Sequence, residues 1–277
     1  MNRARRSHAE RRRSFRELHR QGCFVIPNPW DLGSARYFES LGYQALATTS
    51  SGFAWSRALA DGQVSRDQML EHFEELVAAT DLPVNADFQS GFGRDATGVA
   101  ESVSLAVDTG IAGLSIEDST GDAEQPLYDT ATAVQRVRGA RHAIDQAGGE
   151  VVLVARSEGF LVGRPDLAET IARLKAYSAA GADCLYAPGI GSRDEIAAVV
   201  SAVAPKPVNV LIGSASAMTV RDLELLGVRR VSVGGALARC AWGAVMRAAK
   251  LLADEGRFDG FAAAAPGDEL NALFGVS

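Results

Sequence analysis

Short, nearly continuous apolar runs alternate with amphipathic helical stretches eight times along this chain, and that repeat constrains the fold more than any other feature. The runs occupy 23–27, 45–49, 83–87, 113–117, 151–156, 184–187, 208–212 and 230–234. They are apolar on successive residues, the pattern of parallel strands buried on both faces. Between them, apolar residues recur at helical spacing over 32–41, 66–80, 99–109, 131–147, 167–180, 193–203 and 220–226, with a broad stretch at 237–255 after the last run. Gly42, Gly110, Gly181 and Gly227 stand where a left-handed cap closes a helix, and Ser65 and Ser192 where a side-chain oxygen opens one.

Eight such units in 277 residues predict a (β/α)8 TIM barrel. A doubly wound open sheet is the alternative, but it rarely needs eight near-equal units. The barrel is assigned to 22–256, preceded by a basic arm or helix at 1–21 and followed by a tail at 257–277 that is helical in pattern over 268–274.

Eight arginines against two glutamates give the first twenty residues a charge of +6, leaving −12 for the rest of a chain whose net is −6. A solvated, frayed helix is favoured over a nucleic-acid or membrane-surface arm, because only Phe15 is interleaved as an aromatic and the body is acidic. No nucleic-acid or membrane partner is therefore expected. Cys23, Cys184 and Cys240 are far apart and outside any metal or redox spacing, which fits a reducing cytoplasm. No run is long and apolar enough for a membrane span or a signal peptide.

In such a barrel the reactive groups lie at the C-terminal ends of the strands. Those ends carry Asn28 to Asp31, Thr49 to Gly52, Asp87 and Gln89, Glu117 and Asp118, Arg156 and Glu158, and Tyr186. All four histidines fall in the arm or in outer helices, and no cysteine follows a strand on that rim, so imidazole and thiolate chemistry are not expected. Carboxylates with one arginine suit an oxygen-ligated divalent ion and an anionic substrate. Asp87 and Glu117 end neighbouring strands and could address one ion; capping the next helix is the alternative for either. The glycine-spaced loop at 87–93, and Gly213 with Gly234 and Gly235, admit either phosphate binding or ordinary tight turns.

At these strand ends the chain resembles the isocitrate lyase and phosphoenolpyruvate mutase superfamily, over about 28–243. The resemblance is carried by Asn-Pro-Trp-Asp at 28–31, Thr-Ser-Ser-Gly at 49–52, Ala-Asp-Gly at 60–62, Val-Asn-Ala-Asp-Phe-Gln-Ser-Gly-Phe at 84–92, Ser-Ile-Glu-Asp at 115–118, Ala-Arg-Ser-Glu at 155–158 and Ser-Val-Gly-Gly at 232–235. It implies Mg²⁺, or Mn²⁺ in its place, held by Asp61, Asp87 and Glu117, with Gln89 in the same shell. The implied substrate is a small 2-oxo or 2-hydroxy carboxylate, met by Ser51, Gly52, Phe53, Arg156 and Asp31. Arg156, Glu158, Ser50 and Tyr186 are the candidates for the reaction itself; a buried pair with Arg156, a turn residue and a core aromatic are the plain alternatives for the last three. The resemblance also implies a homodimer or homotetramer that exchanges its eighth helix, and the apolar circumference of 236–252 agrees.

The departures narrow the reaction. Gln89 stands where relatives usually carry a second carboxylate. The loop at 119–126 has neither the Lys-Lys-Cys-Gly-His type sequence of isocitrate lyases nor the lysine and asparagine of phosphonate-forming mutases. Ala187 and Pro188 replace the Glu or His often found after strand six. The expectation is a Mg²⁺-dependent lyase working through an enolate. A P–C bond enzyme is the near alternative, and a carboxylate-binding barrel without turnover the distant one.

Overall fold

A computed structural model describes residues 5–275 of the chain. Its strands are β1 (Phe24–Ile26), β2 (Leu46–Ala47), β3 (Val84–Asp87), β4 (Gly113–Glu117), β5 (Val152–Arg156), β6 (Cys184–Tyr186), β7 (Val208–Leu211) and β8 (Arg230–Ser232). All pair in parallel, in the order β1-β8-β7-β6-β5-β4-β3-β2. The seam between β1 and β2 is closed by the Ala47 amide donating to the Pro27 carbonyl at 3.0 Å and by Asn28 Nδ2 donating to the Thr48 carbonyl at 2.9 Å. The expected (β/α)8 barrel is the observed one.

The helices are α1 (His8–Leu18), α2 (Leu32–Ser40), α3 (Ser50–Ser56), α4 (Arg66–Ala79), α5 (Ala96–Asp108), α6 (Thr130–Gln146), α7 (Leu167–Ala179), α8 (Arg193–Val203), α9 (Val220–Leu225), α10 (Ala236–Glu255) and α11 (Gly267–Phe274). Ser65 and Ser192 open α4 and α8 with reciprocal capping boxes, and Gly42, Gly110, Gly181 and Gly227 take positive φ after α2, α5, α7 and α9. Helix α3 was not foreseen. Its Ser-Ser-Gly start reads as a turn, yet the Thr49 side chain accepts from the Gly52 amide and starts a helix directly above β2.

Alternation along the strands separates two cores. On β5, Leu153 and Ala155 face the surrounding helices, whereas Val152 and Val154 face the barrel interior with Ile26, Ala47 and Cys184. Continuing that alternation brings Arg156 inward at the top of β5, and likewise Asp87 two residues above Asn85 on β3.

Helix α1 corrects the reading of a solvated arm. Phe15 is fully buried in the interior cluster and closes the barrel where the strands begin. The arginines bond backbone: Arg11 Nη1 donates to the Val77 carbonyl at 2.9 Å, Arg12 Nη2 to that of Val107 at 2.7 Å, and Arg16 Nε to that of Glu150 at 2.8 Å. Val77 and Val107 lie in the last turns of α4 and α5, whose carbonyls lack helical partners and carry the negative end of the dipole. Arg11, Arg12 and Arg16 thus tie the helix to the barrel, while Arg6, Arg13 and Arg20 stay exposed.

Helix α10 stands apart from the other barrel helices. Only Ala238 of its twenty residues is buried, while Trp242, Val245 and Met246 are 44%, 58% and 65% exposed. Gly260 approaches it, in the single turn Asp259–Phe261, where an added Cβ would lie 3.0 Å from Ala248 Cα.

Candidate active site

Arg156 is the hub of the strand ends. Its Nη1 lies 2.8 Å from Asp87 Oδ1 and 3.3 Å from Glu117 Oε2, and its Nε lies 2.9 Å from Glu158 Oε1. Its guanidinium carbon sits 5.0 Å from the centroid of the Tyr186 ring, within reach of a cation–π contact. Asp87 is held from the other side: its Oδ2 accepts from both the amide and the hydroxyl of Ser50 at 2.9 Å, and its own amide donates to Thr48 Oγ1 at 2.8 Å. Glu158 is positioned through its backbone, whose N–H donates to Asp118 Oδ1 at 2.8 Å. Asp118 is in turn pinned by the Tyr177 hydroxyl at 2.6 Å and by Arg173 Nη1 at 3.2 Å.

Four carboxylates thus share the field of one guanidinium. Burial pushes the Glu117 pKa up to about 8; Arg156 opposes the shift, and Glu158, Asp87 and Asp61 add repulsion. Burial also raises Glu158, and burial followed by the charge of Asp87 raises Asp61. Burial works against the Arg156 cation, yet Glu158, Glu117 and Asp87 together hold its pKa well above the usual value. The Tyr186 hydroxyl, pushed by burial up to about 12, keeps its proton at neutral pH.

Ser50, Ser51, Asp61, Asp87, Arg156 and Tyr186 line a cavity of about 190 Å³ at the barrel mouth. An adjoining opening of about 560 Å³ shares Ser50, Asp61 and Arg156 with it and adds Gln89, Glu117 and Glu158. Three expected site residues are not brought to either. Asp31 caps α2 by accepting from the Ser34 amide at 2.7 Å and faces a separate apolar hollow beside α11. Phe53 is buried and stacked on His72 at 3.8 Å between centroids. Gly52 gives its amide to Thr49 and is required by packing, since a Cβ there would lie 2.7 Å from Thr49 Cγ2 and 3.0 Å from Trp30 Cβ. The glycine-spaced loop after β3 is likewise packing: Arg136 Nη2 binds the carbonyls of Ser90 and Gly93, and a Cβ at Gly93 would strike the Val99 amide at 2.1 Å.

The cavity also holds residues that the strand-end search passed over, namely Thr48, Asn85 and Arg230. Asn85 and Arg230 precede the ends of β3 and β8, Thr48 directly follows β2, and Arg230 begins a run that otherwise reads as apolar. Only inward alternation from Asp87 and Ser232 would have found Asn85 and Arg230. Among the described residues, no three His, Cys, Asp or Glu side chains are grouped closely enough to form a metal-ligand set by themselves. No helix among those residues is long and apolar enough to cross a membrane.

Residues 15–253 match the family model described as phosphoenolpyruvate phosphomutase. The chain belongs to this family. Through it the chain is a member of the isocitrate lyase and phosphoenolpyruvate mutase superfamily of enzymes. It is 48% identical, with a TM-score of 0.93 over 97% of both chains, to a crystal structure from Burkholderia cenocepacia J2315 described as a lyase/mutase. It is 26% identical, with a TM-score of 0.84 over 98% of this chain and 95% of the other, to 2,3-dimethylmalate lyase. An oxaloacetate decarboxylase of Bradyrhizobium sp. is 31% identical over 219 residues, covering 76% of this chain and 73% of the relative. Of these three, the two with a single named activity are a lyase and a decarboxylase.

Proposed function

We propose that the chain is a Mg²⁺-dependent carbon–carbon lyase acting on a small 2-oxo or 2-hydroxy carboxylate, by C–C cleavage or decarboxylation next to the carbonyl. The observation that carries this reading is the Arg156 cluster, in which Asp87, Glu117 and Glu158 share one guanidinium beside Asp61 at the mouth of a cavity. When all are ionised, four carboxylates exceed one cation by three charges, an excess that a divalent ion offsets. The donors are hard oxygens, and Mg²⁺ or Mn²⁺ takes one or two carboxylates and keeps water for the rest, so a closed protein cage is not required. Asp87 would be the inner ligand, with Asp61, Glu117 and Gln89 reached through water. When bound, the ion supplies positive charge to the oxyanion that develops as the bond next to the carbonyl breaks.

The chain's own side chains supply the remainder. Arg156, fixed by three carboxylates, neutralises the substrate carboxylate. Ser50 is oriented by Asp87 and, with Ser51 at the start of α3, faces the same anion. Tyr186 keeps its proton beside Arg156 and, of the candidates Glu158, Ser50 and Tyr186, is the one we assign to give it. Relatives that are a decarboxylase and a lyase support the same class. The family model's description keeps a P–C bond reaction as the second reading.

The assembly we propose is a homodimer or homotetramer in which α10 is exchanged, because a helix with Trp242, Val245 and Met246 in water needs a second protein surface. A panel of small 2-oxo and 2-hydroxy acids tests the function. Pyruvate or CO₂ release from one of them, abolished by chelation and restored by Mg²⁺, is expected. Phosphonopyruvate consumption instead would select the P–C reading, and ligand binding without turnover of either would leave a binding barrel.

A further inference from the structure

Arg230 is a cation buried in the barrel interior, where such folds ordinarily place branched aliphatic residues. It is 2% exposed, and among the described residues no carboxylate pairs with it. Its Nε donates to Asn209 Oδ1 at 2.8 Å and its Nη1 to Asn85 Oδ1 at 3.2 Å, while Asn209 is itself oriented by donating to Ser232 Oγ at 2.9 Å. Nη2 donates to nothing among the described residues, and the side chain lines the inner cavity below Asp87 and Arg156. A buried cation without a counter-ion is costly to the fold. Two amide oxygens engage Nε and Nη1 and leave Nη2 without a partner among the described residues, a charged donor available to an anion in the cavity that this side chain lines.

We propose that Arg230 is the floor of a second anion subsite, so that the substrate is a dianion with one acid group at Arg156 and the other at the inner end of the cavity. This rests on the reading of the cavity as a 2-oxo or 2-hydroxy acid site. Two stable probes isolate it: malate and 2-hydroxybutanoate share the 2-hydroxy acid end and the four-carbon length, and differ by a carboxylate in place of a methyl. By calorimetry with Mg²⁺ present, the wild-type protein should prefer malate. Arg230→Gln, which keeps hydrogen bonding to the two amides, should weaken malate about tenfold, the loss of one charge-assisted contact, and leave 2-hydroxybutanoate within about twofold. Arg230→Lys should restore part of the malate preference, which a purely structural role would not do. Equal weakening of both acids, or unchanged malate binding in folded Arg230→Gln, overturns the dianion subsite alone. Binding of neither acid to the wild-type protein overturns the acid-site reading and this inference with it.

Discussion

Crowding of carboxylates around Arg156 makes a prediction at the scale of single residues. In chelator-treated protein, Glu117 has its pKa raised from the ordinary 4.5 to about 8, chiefly by burial. The folded state therefore keeps a proton that the unfolded chain has released. Its contribution to stability is complete below about 4.5 and is lost as pH rises toward about 8. Asp61 and Glu158, also raised, act in the same direction. Melting temperature without metal should fall across that window, and Glu117→Gln should flatten the fall; an identical pH slope in the two proteins would contradict the assignment. The positions of Asp87, Glu117 and Arg156 were legible in the sequence, because each closes an apolar run and the C-terminal ends of barrel strands form the mouth. The raised pKa was not, since it depends on how many neighbours share one guanidinium after burial. Phe53 and Asp31 were misread for a related reason: a residue beside a motif can turn to the core or cap a helix, and adjacency in sequence does not distinguish them.

Among the elements, α1 carries the largest difference between sequence and structure. Eight alternations were visible because apolar period reports burial directly, and the glycine caps and serine caps followed from local chemistry. The docking of α1 was not visible, because Arg11, Arg12 and Arg16 bind backbone carbonyls, which leave no complementary charge pattern to read. The buried Phe15 is the anchor, in edge contact with the Phe24 ring at 6.3 Å between centroids. Phe15→Ala should cost about 3–5 kcal/mol in chemical denaturation, the range for emptying a packed aromatic site. A solvated helix would lose no more than about 0.5 kcal/mol, so a loss that small would contradict the plug.

For the whole molecule, the exposed apolar face of α10 predicts association. Light scattering at micromolar concentration should give a multiple of the 29.2 kDa chain mass. Trp242→Asp, which places a charge on that face, should shift the population toward the single chain; a wild-type mass near 29.2 kDa would rule out an exchanged helix. The central claim is that the carboxylates around Arg156 form a divalent-metal site with Asp87 as its inner ligand, and calorimetric Mg²⁺ titration of wild-type and Asp87→Ala protein tests it most directly. Removing Asp87 leaves Arg156 paired with Glu117 and Glu158, so the variant should remain folded and its circular dichroism unchanged. The account predicts saturable Mg²⁺ binding by the wild type and none by the variant, whereas equal Mg²⁺ affinity in the two would contradict it.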